Sequence, residues 1–205
     1  GHAPMVEGKS LAGRLSCYEN LRSSILTFTM AESGFPYSAA ARSFGFTYKF
    51  FSQAGGYSKT AQTLSGDDDL FIREAVKHKA PVGCFIENES FVFSESKNTM
   101  EEYFSQKARH TSSSAYYLAK HKAFLAGWHM LNLLPFLLLP AAFLYPVILL
   151  LPLIKFLTEI IAFRKLSKVF GYSFNVTEII CLSVFFEVSI IINYFYSFKF
   201  RNRWN

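Results

Sequence analysis

Three consecutive acids, Asp67, Asp68 and Asp69, stand at the threshold of an apolar-periodic segment, Leu70, Phe71, Ile72, Ala75 and Val76. Adjacent carboxylates repel, so a run of three implies either a helix start, whose positive end they face, or a cluster held for chemistry. A carboxylate at such a turn can take the proton of a hydroxyl within hydrogen-bond reach. Lys77, His78 and Lys79 face the negative end of the same helix, and Pro81 stops it. Further on, Gln106, Arg109, His110 and Ser113 recur at the i, i+3, i+4, i+7 spacing that puts them on one helix face. Such a polar face is ordinarily a solvated one. Arginine, however, offers a planar fork that binds phosphate oxygens in a fixed geometry. Gly55-Gly56-Tyr57 is a turn that also lets backbone approach a ligand, and Arg42 is a candidate phosphate contact in the loop before it.

The elements that would position these groups follow from pattern and punctuation. Leu11, Leu15, Tyr18, Leu21, Ile25 and Phe28 recur every three or four residues, which predicts an amphipathic helix over residues 10–32 with Ser10 as its cap. It either packs on the body of the protein or lies on a membrane surface. Residues 43–51 are dense in aromatic and β-favouring types and predict a strand, as do residues 82–86 and 90–94 around the polar turn Glu87-Asn88-Glu89. Thr99 followed by Glu102 is a capping box, so the helix carrying Gln106 should begin there.

Beyond residue 121 the composition changes. Residues 124–154 include a charge-free run too long for a soluble core helix, so this is a membrane protein. Pro135, Pro140, Pro146 and Pro152 divide the block into a hairpin of two spans, 124–143 and 146–163, turning near Tyr145. Lys120, Lys122, Arg164, Lys165 and Lys168 flank it, which puts both ends on the cytoplasmic side. A third apolar segment, 176–198, contains Glu178, Glu187 and Asn193 and is either a span or re-entrant; as a span, Glu187 needs a partner inside the bundle. The net charge of +6 follows these membrane boundaries, favouring phosphate-bearing ligands and anionic lipid over nucleic acid. Cys17, Cys84 and Cys181 are too few and too dispersed for a disulfide framework or a zinc site. Gly1-His2-Ala3-Pro4 shows neither an initiator Met nor a signal peptide, which suggests that the chain continues upstream.

The order of features, an acidic D-x-D-L turn, a Q-x-x-R pair on a later helix and then membrane spans, resembles the C-terminal half of the membrane-bound family 2 glycosyltransferases, the group of the cellulose and hyaluronan synthases. The resemblance covers residues 10–163. It implies an α/β fold, a partial GT-A, Rossmann-like domain over residues 1–121, followed by transmembrane helices: a hairpin over 122–163, a cytoplasmic basic linker over 164–175, a third transmembrane or re-entrant helix over 176–198 and a basic tail over 199–205. It also implies an inverting transfer from a nucleotide-sugar donor to a glycan or lipid-linked acceptor. In that alignment Leu70 anchors the register, so Asp67 is the base and Asp69 the accompanying acid, with Asp68 the second choice for base. Gly66 stands where the family has Glu. Gln106, Arg109 and His110 take the places of the motif that meets acceptor and diphosphate, with His110 replacing a Trp. Gly55, Gly56 and Arg42 fall at the turn before the acidic segment. The resemblance further implies a divalent cation, Mg2+ or Mn2+, held by residues upstream of those given, and a bacterial inner-membrane location. The competing expectation is a non-catalytic membrane protein whose cytoplasmic part docks a partner and whose acids only cap a helix.

Overall fold

A computed structural model describes residues 1–58 and 66–200, with side chains through residue 197. Ser65, at the head of the acidic segment, and residues 201–205 of the basic tail lie outside the described residues. The chain is mainly helical. β1 (Met5–Val6) leads into α1 (Leu11–Glu32), followed by α2 (Tyr48–Ala54), α3 (Asp67–Lys77), β2 (Ser94–Glu95), α4 (Met100–Ser112), α5 (Ala119–Leu137), α6 (Leu150–Leu166) and α7 (Val176–Phe200).

The expected α/β, Rossmann-like domain is not what forms. Among the described residues the only sheet is the parallel pair β1–β2, with Met5 opposite Ser94 and Val6 opposite Glu95. The reason lies in the segments read as strands. In residues 43–51 the rings do not alternate across a sheet; Phe44, Phe46, Phe50 and Phe51 converge on Phe71 of α3, with centroids 4.7–6.1 Å away. Thr47 then caps a short helix, its hydroxyl accepting from the Phe50 amide. Residues 82–94 run as irregular chain interrupted by a 3-10 turn at Asn88–Ser90, and only Ser94–Glu95 finds a strand partner. A strand needs a neighbour, and among the described residues none lies alongside these segments.

The helices begin where their caps predict. Ser10 Oγ accepts from the Gly13 amide at 3.0 Å, and Thr99 and Glu102 close the capping box of α4. α1 packs inward: Leu15, Tyr18 and Leu21 are fully buried. They join Tyr103 of α4, Phe163 of α6, Phe170 and Tyr172 of the following turn, and Ile179, Leu182 and Phe186 of α7 in one core. α4 lies along α7, and α1 packs on both.

Three segments, Ala119–Phe143, Pro146–Leu166 and Val176–Ser197, are long and apolar enough to cross a membrane. The first two are separated at Leu144 and Tyr145, between a 3-10 turn over Leu139–Phe143 and another over Pro146–Leu149. Pro140 and Pro146 occupy the first positions of those turns, where the missing amide proton costs nothing. α7 runs unbroken through the third segment. Its Glu187 does have partners: Arg22 of α1 at 2.9 Å and Lys155 of α6 at 3.9 Å. Arg22 and Lys155 also reach Glu159 at 3.1 and 2.7 Å, and Lys155 Nζ donates to Ser183 Oγ at 2.8 Å. Two cations and two carboxylates thus balance where an isolated charge would be severely penalised.

Candidate functional site

α3 starts from Gly66, whose φ of 82° lies in the left-handed region that favours glycine. No side chain caps this helix end, so the three acids do not serve as the conventional N-cap. They divide instead by direction. Asp67 points to solvent and its carboxylate has no hydrogen bond or ion pair among the described residues. Asp68 accepts from the Ala41 amide at 2.7 Å and the Asp69 amide at 2.9 Å. Asp69 accepts from Ser38 Oγ at 2.6 Å, the Ala39 amide at 3.3 Å and the Tyr117 hydroxyl at 2.5 Å. Burial pushes the Asp69 carboxyl up to about 6, with the neighbouring Asp68 charge adding to it. Burial raises Asp68 as well.

These bonds bring distant segments together. Tyr117 precedes α5 by two residues, and Ser38, Ala39 and Ala41 belong to the loop after α1. The start of α3 also sits tightly on the turn after α4, since a Cβ on Gly66 would lie 2.5 Å from Ser113 Cβ. Ser113 in turn donates to the His110 carbonyl at 2.7 Å. The acidic turn and the far end of the Gln106 helix are therefore in contact, 47 residues apart in sequence (113 − 66).

A cavity of about 2060 Å3 lies over this junction. Asp68, Asp69, Arg42, Gln106, Arg109 and His110 all line it. Asp67, Gly55 and Gly56 do not line it. Gly55 and Gly56 end α2, with φ of 83° and 62°, and the Phe51 ring lies 3.2 Å from where a Cβ on Gly56 would be. Arg42 donates to the Ala3 carbonyl at 3.1 Å, and burial lowers its pKa. Arg109 is exposed to the cavity, and its side chain has no partner among the described residues. His110 is open to water yet recessed in the concave wall. Lost hydration there, then the charges of Lys107, Arg109 and Arg42, push its imidazole down to about 4, so it is neutral at pH 7.

The cavity extends to the apolar helices, where Trp128 and His129 of α5 and Asn193 and Tyr194 of α7 line it. Four buried side-chain polar atoms of its lining residues have no partner among the described residues: His2 Nδ1, Gln106 Oε1, His129 Nδ1 and Asn193 Oδ1. Such atoms are costly unless something polar fills the space beside them. The chemical character of the site is thus a mixed one, carboxylates at one wall, cations at another, and hydrogen-bonding groups toward the spans.

A divalent cation does not fit these residues. Among the described residues no three His, Cys, Asp or Glu side chains are grouped to hold a metal, and the Asp68 and Asp69 carboxylates are committed to protein donors. Ser38, Tyr117, His129 and the loop amides are the site groups that sequence reasoning missed. Of these only Tyr117 carried a signal, its place beside the first span. No family model, curated protein or solved structure matches this chain.

Proposed function

We propose that the protein is a membrane-bound inverting glycosyltransferase that moves a sugar from a nucleotide-sugar donor to a glycan or lipid-linked acceptor, with the described residues forming the acceptor side. The observation that carries this reading is the convergence of Asp68 and Asp69 with Gln106, Arg109 and His110 on one cavity that borders the apolar helices. An acceptor emerging from a membrane needs such a place. In this reading the Asp67 carboxylate, exposed in the first turn of α3 and without a partner among the described residues, takes the proton of the acceptor hydroxyl. The hydroxyl oxygen then bonds to the anomeric carbon from the face opposite the departing nucleoside diphosphate, and the anomer inverts. Arg109 meets diphosphate oxygens through its fork, and Gln106 orients the acceptor through its unpartnered carbonyl oxygen. The flanking cations Lys120, Lys122, Arg164, Lys165 and Lys168 support a cytoplasmic side for this site, and the resemblance implies a bacterial inner membrane.

The test is incorporation of labelled sugar by membranes containing the protein with its natural flanking sequence. Asp67→Asn should lower transfer by about 100-fold or more, the scale of a lost general base, without lowering the amount of folded protein. Undiminished transfer by Asp67→Asn and Arg109→Ala would sink the assignment. One observation favours a second reading, a non-catalytic membrane protein that docks a partner: Asp68 and Asp69 are fully used as structural ties, and Asp67 stands off the cavity lining. That reading requires Asp69→Asn to lower stability while no variant at Asp67 changes anything but surface charge.

A further inference from the structure

α7 reverses the usual arrangement of a helix on a water-facing body. Its polar side chains point inward: Ser183, Glu187, Ser189 and Asn193 are buried. Its apolar ones point outward, with Val184, Phe185, Val188, Ile191, Ile192 and Phe195 between 39% and 68% exposed at the three- and four-residue spacings of one stripe. A stripe of that kind needs an apolar cover. Length and hydropathy suit a helix that crosses a bilayer and one that lies along its surface equally well.

The neighbours of α7 separate the two. α1 runs beside it in the same direction, since Arg14 pairs with Glu178 at 2.8 Å and, two turns on, Arg22 pairs with Glu187 at 2.9 Å. α4 also lies along it, with the Tyr103 hydroxyl 3.4 Å from Ser189 Oγ. α4 exposes Glu101, Glu102 and Arg109. Were α7 to cross the hydrocarbon, α4 would enter beside it and carry those charges in, where they are severely penalised. The basic residues point the same way. The cations flanking the apolar hairpin, Lys122 and Arg164 among them, share one side of the membrane, and a crossing α7 would send Lys199, Arg201 and Arg203 to the other.

We propose that α7 does not span but lies along the membrane surface, its apolar stripe seated in one leaflet at the boundary of headgroups and acyl chains. Lipid is the occupant because the stripe adjoins a surface that already belongs in lipid: α6, the return limb of the hairpin, packs on α7 and exposes Leu153, Leu157 and Ile161. Seated this way, α7 holds α1 and α4 against the membrane while their charged groups stay in water. This inference stands apart from the transfer reading and survives its failure.

The experiment uses the full chain in phospholipid vesicles, carrying Cys84→Ser and Cys181→Ser so that only the buried Cys17 remains. A nitroxide label is placed singly through Thr177→Cys, Val184→Cys, Val188→Cys or Phe195→Cys, all at exposed positions. Its depth is read from collisions with oxygen dissolved in the lipid against those with a nickel chelate in water. An α-helix sets positions 177 and 195 about 27 Å apart along its axis. The four labels should share one depth, about 5–10 Å into the boundary. Labels at 184 and 188 buried deeper than those at 177 and 195 would overturn the proposal in favour of a span. Labels shielded from oxygen and chelate alike would overturn it in favour of a protein cover, a partner or a second copy.

Discussion

Gly66 is the residue on which the acidic turn depends. Its φ of 82° and the Ser113 side chain pressed against it leave no room for a Cβ. Gly66→Ala should therefore cost about 1–3 kcal/mol, combining left-handed backbone strain with displacement of Ser113, and a lowered unfolding temperature would register it. The titrating groups nearby make opposite contributions to pH dependence. Asp69 has a folded pKa of about 6, above its usual 3.8, so the native state holds the proton more tightly and loses stability as pH climbs from about 4 to 6. His110 and His2 lie near 4, below their usual 6.5, so the native state loses stability as pH falls from about 6.5 toward 4. Asp69→Asn removes the first effect alone, and its unfolding temperature should climb more steeply between pH 4 and 6 than that of the unaltered protein. An identical slope would show that Asp69 does not carry the raised pKa.

At the scale of elements, local signals were legible and pairings were not. Ser10, Thr99 with Glu102, and the long apolar runs announced α1, α4 and the three candidate spans, because caps and hydropathy act over a few residues. Residues 43–51 misled because their aromatic content is that of a strand, whereas what places them is Phe71, on a helix twenty residues on. The site was half visible: the two motifs were in the sequence, but the hydrogen bonds that join them, Ser38 and Tyr117 to Asp69, span 31 and 48 residues and leave no periodic trace. The charge cluster between α1, α6 and α7 supplies a sharper test. Arg22→Ala would leave Glu187 and Glu159 short of a cation and should destabilise by about 3–5 kcal/mol. Arg22→Met combined with Glu187→Leu removes one charge of each sign and should recover most of that loss. Failure of the double variant to recover would mean the cluster contributes through hydrogen bonding rather than charge balance.

For the molecule as a whole, the core does not respect the change in composition near residue 121. Leu15, Tyr18 and Tyr103 from one side of it meet Phe163, Ile179 and Phe186 from the other. A chain ending at residue 121 would expose that apolar surface, and it should be susceptible to proteolysis throughout and lack a cooperative unfolding transition. A protease-resistant 1–121 product would contradict this.

The same packing sets a timetable for synthesis. His2 donates to the carbonyl of Phe170 at 3.0 Å, and Arg22 waits for Glu187, so the first helix leaves the ribosome long before either partner exists. At roughly 5–20 residues per second, about 160 further residues take on the order of ten to thirty seconds. Throughout that interval the apolar face of α1 and Arg22 are without the partners that later bury them. A nascent chain of this design depends on the arrival of α7 to finish α1, and a delay in placing α7 would be felt as misfolding of α1.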